Sequence, residues 1–590
     1  MQRVSERKCG RMLLIQTSLV LLSLFLLNTT IASAHPTIDT DTKLPAIAAE
    51  HSDHGTPDVA GHDHPGNGDA EHRDSQAAAR HDANGHRDQS GHAAVDLNRK
   101  RIANFLILLV ALTGGLAVLW ISRRTIPESI PSTRTFDLLT LKPVAKIVRL
   151  KYFRSSLQLI NVAVFLNIVY FGFFGTQNPT LSFTYSVTWY FWWPIFFLLM
   201  LFFGRLWCMI CPFAAMADWV QKLVNFNKTF PKKLRNLWIT VVLFLTLHFA
   251  YIWWISGSPS MTALAVLLGF IIPAIVVGII YKRRSYCQYV CPLGGLLTVF
   301  SLFAPIQLSN RSNEVCKKCL TKDCYRGNEL GRGCPVSQVV TNIKRTGECH
   351  LCLECVKTCR NNNVALKVRS FGTDLWNSTK RTFDESTVGV LMVGLVVTKT
   401  AVMLEPWNDL VSWFAHTFKF DPAFAANLLF VSLTFLFPLT LTAISIWTIR
   451  SVLQRSEAGF WDLYKVWGYM LVPVALALQI AHELDHLINE GPYALAAIGI
   501  LLAPAVPAFQ ELAAARATPW LSSELLFLLR IVLPIAGLLF TLFIGYRMAT
   551  YIYRKPNIVK ATLIPMYALA VIFTMVSTYL MGLPMLGHSH

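Results

Sequence analysis

The chain has 590 residues, of which 53% are hydrophobic and only 15% are charged. Long apolar segments recur along it, so we expect several membrane-spanning helices rather than a water-soluble protein. The formal net charge of +19 does not indicate nucleic-acid binding, because the basic residues cluster between apolar segments, as cytoplasmic loops require.

The first 98 residues contain two segments. Residues 1–34 have basic residues, then an apolar run and "ASA" before His35, which is typical of a secretory signal. An uncleaved anchor is the alternative, and both place the following residues outside. Residues 35–98 are polar and hold nine histidines. We expect a disordered periplasmic segment with weak Cu or Zn affinity, or simply a solvated tail.

Apolar segments near the length of about 20 residues that a spanning helix needs follow in ten places. They are 102–122, 157–175, 188–207, 237–256, 261–281, 388–404, 425–447, 466–487, 525–546 and 561–584. Another apolar stretch, 492–510, is broken by Pro504 and Pro507, so we expect it to be interfacial or re-entrant. The predicted fold class is an all-α polytopic membrane protein with about ten transmembrane helices.

Charge predicts the orientation of these spans. With residue 98 outside, the loops that carry most of the basic residues face the cytoplasm, as the positive-inside rule requires. The N-terminal tail and the C-terminus then lie in the periplasm of a bacterial inner membrane. We predict a five-span core at 99–305, a cytoplasmic ferredoxin-like domain at 306–387 and a five-span membrane domain at 388–590. Thiols between 306 and 387 would stay reduced.

Eight of the 13 cysteines lie close together in the predicted cytoplasmic domain. The second run, "ECHLCLECVKTCRN", has the spacing C-x2-C-x2-C-x3-C of an iron–sulfur loop. In two-cluster ferredoxins the fourth cysteine of each run ligates the other cluster. Transferred here, this pattern predicts two 4Fe-4S clusters, one on Cys316, Cys319, Cys324 and Cys359 and the other on Cys349, Cys352, Cys355 and Cys334. A pair of zinc sites is the alternative.

One residue of the second run departs from the usual pattern. Arg360 stands where bacterial ferredoxins place proline after the last cysteine. The change removes no ligand and adds a positive charge, so we expect it to raise the potential of the neighbouring cluster.

Two more cysteine pairs follow predicted spans, each directly before a proline. Cys208 and Cys211 lie in "GRLWCMICPF", and Cys287 and Cys291 lie in "RRSYCQYVCPLGG". Both pairs are at predicted cytoplasmic ends of helices, so they could converge into one four-thiolate site, as a third cluster or a dithiol relay. Buried, inert cysteines are the alternative.

These two segments and the eight-cysteine block together resemble the membrane polyferredoxins of the NapH, NosR and CcoG type. The resemblance covers roughly residues 150–370. It implies electron transfer at the bacterial inner membrane between a quinol or cytoplasmic donor and a periplasmic redox protein, in some members linked to copper. Three features depart from it. The Cys208/Cys211 pair is one residue shorter than the typical C-x3-C-P, the Ser-Gly-Ala-Thr flavin attachment motif of NosR-like proteins does not occur in the sequence, and the last five spans have no counterpart.

The predicted span at 466–487 ends in an H-E-x-x-H motif formed by His482, Glu483 and His486. On a helix the two histidines share a face and could ligate one Cu or Zn ion. A quinol site, a polar helix end with paired charges, and a zinc protease with Glu483 as base are the other interpretations. Lys399 and Arg530 fall at a similar depth and are candidate partners for Glu483 or Asp485.

We therefore predict a membrane-bound iron–sulfur electron-transfer protein. Its expected partners are the membrane, the quinone pool or a cytoplasmic donor, and a periplasmic redox protein. A quinone, a haem or the helix-end cysteines could carry electrons across the bilayer. The alternative is a copper-type metal reductase, transport or maturation factor that uses the His-rich tail and the H-E-x-x-H motif. A redox component, quinol dehydrogenase-like or metal-reducing, is favoured over a hydrolase, and no catalytic residue is identified.

Overall fold

The computed structural model describes residues 105, 109–110, 112–117, 120 and 135–583, except 379, 454–458, 505, 515–517 and 554. The predicted signal segment, the His-rich segment, Cys9, most of the predicted span at 102–122 and the final "GHSH" lie outside the described residues.

The described residues contain nine helical segments that are long and apolar enough to cross a membrane. They are Phe153–Phe174, Phe183–Leu223, Trp238–Ile255, Pro259–Ile280, Phe383–Val402, Pro422–Val452, Phe460–Asn489, Ser523–Ile552 and Pro556–Met581. Each coincides with one of the predicted spans from 157–175 onward. The expectation of a polytopic helical protein is thereby confirmed.

Proline and capping residues set several of these helix starts. The segments at Pro259, Pro422 and Pro556 begin with proline, whose missing N–H costs nothing in the first turn. The Ser258 hydroxyl accepts a hydrogen bond from the Met261 amide at 3.3 Å. Asp421 caps the next such helix in the same way. The chain thus marks helix ends with ordinary capping chemistry even within the apolar region.

Shorter helices lie between the membrane segments. They are Lys142–Arg149, Ser285–Tyr289, Pro292–Phe300, Asn313–Lys318, Asp323–Arg326, Glu354–Thr358, Thr373–Asn377, Pro406–Phe418, Gly491–Leu502 and Gln510–Ala514. The stretch expected to be interfacial thus forms the short helices at 491–502 and 510–514. The helix at 406–418 was not predicted, because it follows the preceding span after only a few residues.

The segment Phe183–Leu223 is bent at the first cysteine pair rather than straight. Gly204 adopts φ 61° and ψ −119°, a conformation that essentially only glycine reaches at low cost. A Cβ at this position would lie 3.2 Å from side-chain atoms of Ser301 and Thr346. The helix breaks again at Cys211 and resumes at Pro212. The Cys208/Cys211 pair therefore lies in a bend, not on a continuous helix.

A small antiparallel sheet closes the eight-cysteine block. Its strands, in the order β1–β5–β2, are Phe136–Asp137, Val364–Val368 and Ile306–Asn310. Ile306 pairs with Val368, and Asn310 pairs with Val364. The hairpin β3–β4 is formed by Gly327–Asn328 and Gly331–Arg332. Because β2 precedes the cysteines and β5 follows them, the sheet joins both ends of the block.

The block packs directly on the bend of the membrane segment. Met209, between the two cysteines of the first pair, is buried in the same apolar cluster as Leu308, Leu351, Val356 and Leu366 of the block. Its carbonyl accepts a hydrogen bond from the Gln158 side chain at 2.9 Å. The cysteine block and the membrane cysteine pair are therefore parts of one packed interface.

Two spans form the centre of the helical bundle. Within Phe383–Val402 and Phe460–Asn489, 89% and 83% of the most apolar stretch is buried inside the protein. Polar side chains on these two helices are thus shielded from lipid, and they include Lys399 and Glu483.

Candidate iron–sulfur centres and membrane cavity

The first set of thiols surrounds a cavity of about 460 Å³ in the block. Its cysteines are Cys316, Cys319, Cys324 and Cys359. Asn363 contacts the two cysteines of this set that are farthest apart in the sequence. Its backbone amide donates to Cys359 Sγ at 3.3 Å, and its Nδ2 donates to Cys316 Sγ at 3.1 Å. Cys359 therefore lies with the first cysteine run, although it belongs to the second run in the sequence.

The second set consists of Cys334, Cys349, Cys352 and Cys355. Burial raises the pKa of the Cys349 and Cys355 thiols, and the nearby Cys352 and Cys334 thiols raise both further. The Cys334 amide donates to the Cys324 carbonyl at 3.1 Å, which joins the two sets. The two groups are those of the predicted pairing, and the role of their cysteines as cluster ligands stays a prediction.

The two Cys-Pro pairs meet at the membrane face. Cys211 and Cys291 each precede a helix that begins with proline, and each adopts an extended ψ, 126° and 122°. Burial raises the pKa of the Cys291 thiol to about 11, and the Cys208 thiol adds to this shift. Burial also raises the pKa of Cys287, to which Cys208, Cys211 and Cys291 contribute. The four thiols are thus mutual neighbours, as one four-thiolate site requires.

Unpaired buried donors next to these thiols fit iron–sulfur ligation. In the described part of the chain, Arg205 Nε and Nη2, His350 Nδ1 and Trp207 Nε1 are buried without a protein partner. Arg205 lies near enough to Cys349 to oppose the rise in its pKa, and Trp207 precedes Cys208. Cluster and thiolate sulfurs accept hydrogen bonds, so a cluster bound at the second set would offer acceptors to Arg205.

An ion-pair network connects the membrane cysteine pairs to the second set. The Asp218 carboxylate accepts from Arg154 Nη2 at 2.7 Å and from Arg284 Nη2 at 2.8 Å. Arg154 also contacts Glu354 at 3.3 Å, and Arg284 Nη1 donates to the Cys208 carbonyl at 3.0 Å. Both arginines are at least nine-tenths buried. The network holds the two thiol sets at fixed relative positions.

The described residues were also searched for sites that could bind a single metal ion. Within the described ranges, no group of three or more His, Cys, Asp or Glu side chains could hold one metal ion. A 4Fe-4S cluster spreads four thiolates around a cube, so this finding bears on mononuclear sites rather than on the cysteine sets.

The structure pairs Arg360, which we expected to act as an added positive charge. Its Nε contacts Asp323 at 2.9 Å and its Nη2 contacts Glu329 at 3.2 Å. The side chain is 60% exposed, so this pairing stabilises the fold little.

We predict that Arg360→Gln leaves the melting temperature within measurement error and shifts the cluster potential only slightly in a redox titration. A large fall in potential would show that the charge acts unpaired.

A cavity of about 860 Å³ lies at the opposite end of the spans from the cysteines. It is lined by Trp189, Tyr190, Trp193, Leu247, His248, Tyr251, Ile252, Ser256, Lys399, Val402, Met403, His482, Glu483 and His486. Two of its walls are π-helical turns, Ser186–Trp192 and Tyr251–Ile255, a feature often found at functional sites. The H-E-x-x-H side chains thus face a shared cavity.

Glu483 is the most connected polar group of this cavity. Its Oε1 atom lies 2.5 Å from Lys399 Nζ and accepts hydrogen bonds from Trp193 Nε1 at 3.1 Å and Gln479 Nε2 at 2.6 Å. Asp485 pairs instead with Arg530 at 3.2 Å. The prediction that Lys399 and Arg530 partner these two carboxylates is confirmed.

Three histidines line the same cavity, and the Nδ1 atom of each lies within hydrogen-bonding distance of a protein oxygen. The Nδ1 atoms of His248, His482 and His486 lie 3.3 Å from the Phe244 carbonyl, 3.0 Å from Thr400 Oγ1 and 2.8 Å from Glu490 Oε2. These contacts leave Nε2 as the atom for a ligand. The rings of His482 and His486 are 5.4 Å apart. A metal role for His482, Glu483 and His486 stays a prediction.

Sequence reasoning missed the wall that the earlier spans contribute. Trp189, Trp193 and Tyr251 line the cavity, but nothing in their spacing pairs them with a helix some 290 residues later. His248 lines the same wall. Charged residues inside membrane spans are costly and therefore indicate a functional site, but this criterion identifies only charged residues of the C-terminal spans, such as Lys399 and Glu483.

Comparisons with known proteins support iron–sulfur binding in the segments that hold the two Cys-Pro pairs. A family described as a 4Fe-4S binding domain matches residues 185–231 and 262–307, which contain both Cys-Pro pairs. The ferredoxin-type protein NapH of Escherichia coli is 23% identical over 180 residues, 28% of this chain and 60% of NapH. The putative electron transport protein YccM of Escherichia coli is 29% identical over 105 residues, 18% of this chain and 25% of YccM.

A third relative matches a shorter stretch. The regulatory protein NosR of Stutzerimonas stutzeri is 33% identical over 84 residues, 14% of this chain and 11% of NosR. The chain spans less than two thirds of the length of each of these relatives. No solved structure matches the chain.

Proposed function

We propose that this chain, a membrane polyferredoxin-type protein by its domain match and relatives, transfers electrons between the cysteine sets at one end of its helices and the Lys399–Glu483 cavity at the other. The relatives named above support an iron–sulfur electron-transfer role. The partners and the two-ended path are our proposal. Clusters bound at the cysteines would supply one-electron transfer.

A row of packed aromatic rings carries this proposal. Trp193, whose indole bonds to Glu483, stacks with Phe196 at 5.9 Å between ring centroids. Phe196 lies 6.0 Å from Trp207, which directly precedes Cys208. Trp193 and Trp207 are thus linked through a single ring, that of Phe196. The cavity and the membrane cysteines are therefore joined by densely packed side chains.

The cavity suits the headgroup of a lipid-soluble quinol or quinone. It lies among membrane helices, and indole and phenol rings form much of its wall. The Lys399–Glu483 pair balances its own charge, which favours an uncharged ligand over a free cation. Oxidation of a quinol releases two electrons and two protons, and Glu483 and the histidines are the groups placed to accept the protons. On the predicted orientation, the cavity is near the periplasmic face.

Quinol-dependent reduction of the purified chain tests this function. We expect a water-soluble quinol to reduce the clusters, followed optically. The variant Lys399→Met/Glu483→Gln, which keeps the cavity uncharged, should slow this reduction about 100-fold because it removes the proton acceptor. Glu405→Gln makes the same carboxylate change at an exposed residue outside the cavity and should leave the rate unchanged. If none of the quinols tested reduces the wild-type chain, the proposal is contradicted.

Copper-type metal reduction or handling is the second candidate. One observation favours it: the held Nδ1 atoms of His482 and His486 resemble the hydrogen-bonded support of metal-ligating histidines. The ammonium group of Lys399 in the same cavity opposes cation binding. Bound copper that is lost in His482→Ala/His486→Ala would support this function. Unchanged copper phenotypes after deletion of residues 35–98 would exclude metal collection by the tail.

A further inference from the structure

A basic cavity of about 800 Å³ opens between the membrane helices and the cysteine block. Lys222, at the end of Phe183–Leu223, lies on one side, and Arg326 and Arg332 of the β3–β4 region lie on the other. Cys334 of the second thiol set also lines it. The cavity therefore combines several cations with a direct contact to a predicted cluster ligand.

The charges of this cavity are not balanced by the protein. Its carboxylate, Asp218, is already shared by Arg154 and Arg284. Lys222, Arg326 and Arg332 are exposed, and no salt bridge within the described residues includes any of them, although Arg332 acts electrostatically on Asp218. Because two buried arginines already share that carboxylate, these three cations leave the cavity with an excess of positive charge, which is stabilised when an anion binds.

Arg283 gives the cavity a rigid wall. Its Nη1 donates to the Cys334 carbonyl, and its guanidinium lies 4.6 Å from the centre of the Tyr325 ring. Both contacts fix the side chain in place. A planar guanidinium held this way presents its remaining N–H groups with little further loss of entropy, which suits phosphate oxygens.

The cavity also lies where apolar surface meets polar loops. Leu223 and Phe226, next to Lys222, are 84% and 64% exposed. Exposed apolar side chains at the end of a spanning helix indicate the level of the membrane surface. A phosphate at this level could belong to a lipid headgroup or to a soluble phosphorylated molecule.

We infer that this cavity binds the phosphate group of an anionic ligand beside Cys334. The site deepens the proposed function: a bound anion offsets the positive charge around the second thiol set and lowers the potential of a cluster there. Phosphate binding itself needs no electron transfer, so it is measured separately from quinol oxidation.

Binding to the detergent-solubilised full chain tests the site in two arms. Phosphatidylglycerol is the lipid probe, counted by native mass spectrometry, and inorganic pyrophosphate is the soluble probe, measured by calorimetry. Arg326→Gln/Arg332→Gln should weaken at least one probe about tenfold or more, since it removes two charge-assisted contacts to the phosphate. Lys317→Gln/Lys318→Gln removes the same charge from exposed lysines of the block that do not line the cavity and should leave binding unchanged.

The two binding measurements distinguish a lipid ligand from a soluble one, and they distinguish failure of this site from failure of the proposed function. Weakening of phosphatidylglycerol alone assigns a lipid headgroup, and weakening of pyrophosphate assigns a soluble ligand. Equal weakening in both double variants, or none in either arm, overturns the inference. Equal melting temperatures of the two double variants exclude misfolding as the cause of a difference. Loss of quinol oxidation with intact phosphate binding would reject the proposed function alone.

Discussion

Replacing Cys359 by serine should remove the same 4Fe-4S cluster as replacing Cys316, although the two cysteines belong to different runs. Asn363 contacts both sulfurs, at 3.3 and 3.1 Å, and both line one cavity. Removing one of four thiolates deprives a cluster of a ligand that the oxygen of serine replaces poorly. Each variant should lose about four iron atoms per chain and one of the two reduced EPR signals.

The matched variants make the pairing decisive. Cys334→Ser and Cys355→Ser should both lose the other EPR signal, because both belong to the second set, in which the Cys352 and Cys334 thiols raise the pKa of Cys349. If Cys359→Ser and Cys355→Ser lose the same signal, the crossed arrangement is wrong.

The largest stability effect is expected at the cavity. Lys399→Met leaves the Glu483 carboxylate without its cation, and the two side chains are only 11% and 4% exposed. Breaking a buried ion pair by removing one partner costs about 3–5 kcal/mol, because the remaining charge is left in a low-dielectric interior. We expect a correspondingly lower thermal stability of the purified protein in detergent.

A double variant tests whether the unpaired Glu483 charge causes the loss of stability. Lys399→Met/Glu483→Gln removes both charges and should recover most of the lost stability, since the amide still accepts from Trp193 and Gln479. Lys233→Met, the same change at an exposed lysine, should have little effect. If the double variant is no more stable than Lys399→Met, unpaired charge is not the cause.

The membrane spans and two ion-pair partners could be predicted from sequence because lipid imposes simple rules. A helix must stay apolar for about 20 residues, and a buried charge needs a partner at its own depth. The second rule identified Lys399 and Arg530 as candidate partners for Glu483 or Asp485, and the structure pairs Lys399 with Glu483 and Arg530 with Asp485. Both inferences depend on position along a span and not on which helices touch.

Contacts between distant segments could not be predicted in the same way. β1, at 136–137, joins a sheet whose other strands lie more than 160 residues later, and two residues carry no strand pattern. The contacts of Arg360 with Asp323 and Glu329 could not be predicted either, although its expected effect on the cluster potential stays a prediction. The bend at Gly204 depends on close packing against Ser301 and Thr346, which spacing does not encode.

Iron, zinc and acid-labile sulfide content of the purified full chain, with EPR of the dithionite-reduced protein, tests the central claim most directly. The account predicts at least about eight iron and eight sulfide per chain, signals from two 4Fe-4S clusters and negligible zinc. A third cluster on Cys208, Cys211, Cys287 and Cys291 would raise the iron to about twelve. Stoichiometric zinc without iron or sulfide would contradict the account, because the cysteine sets would then be structural zinc sites.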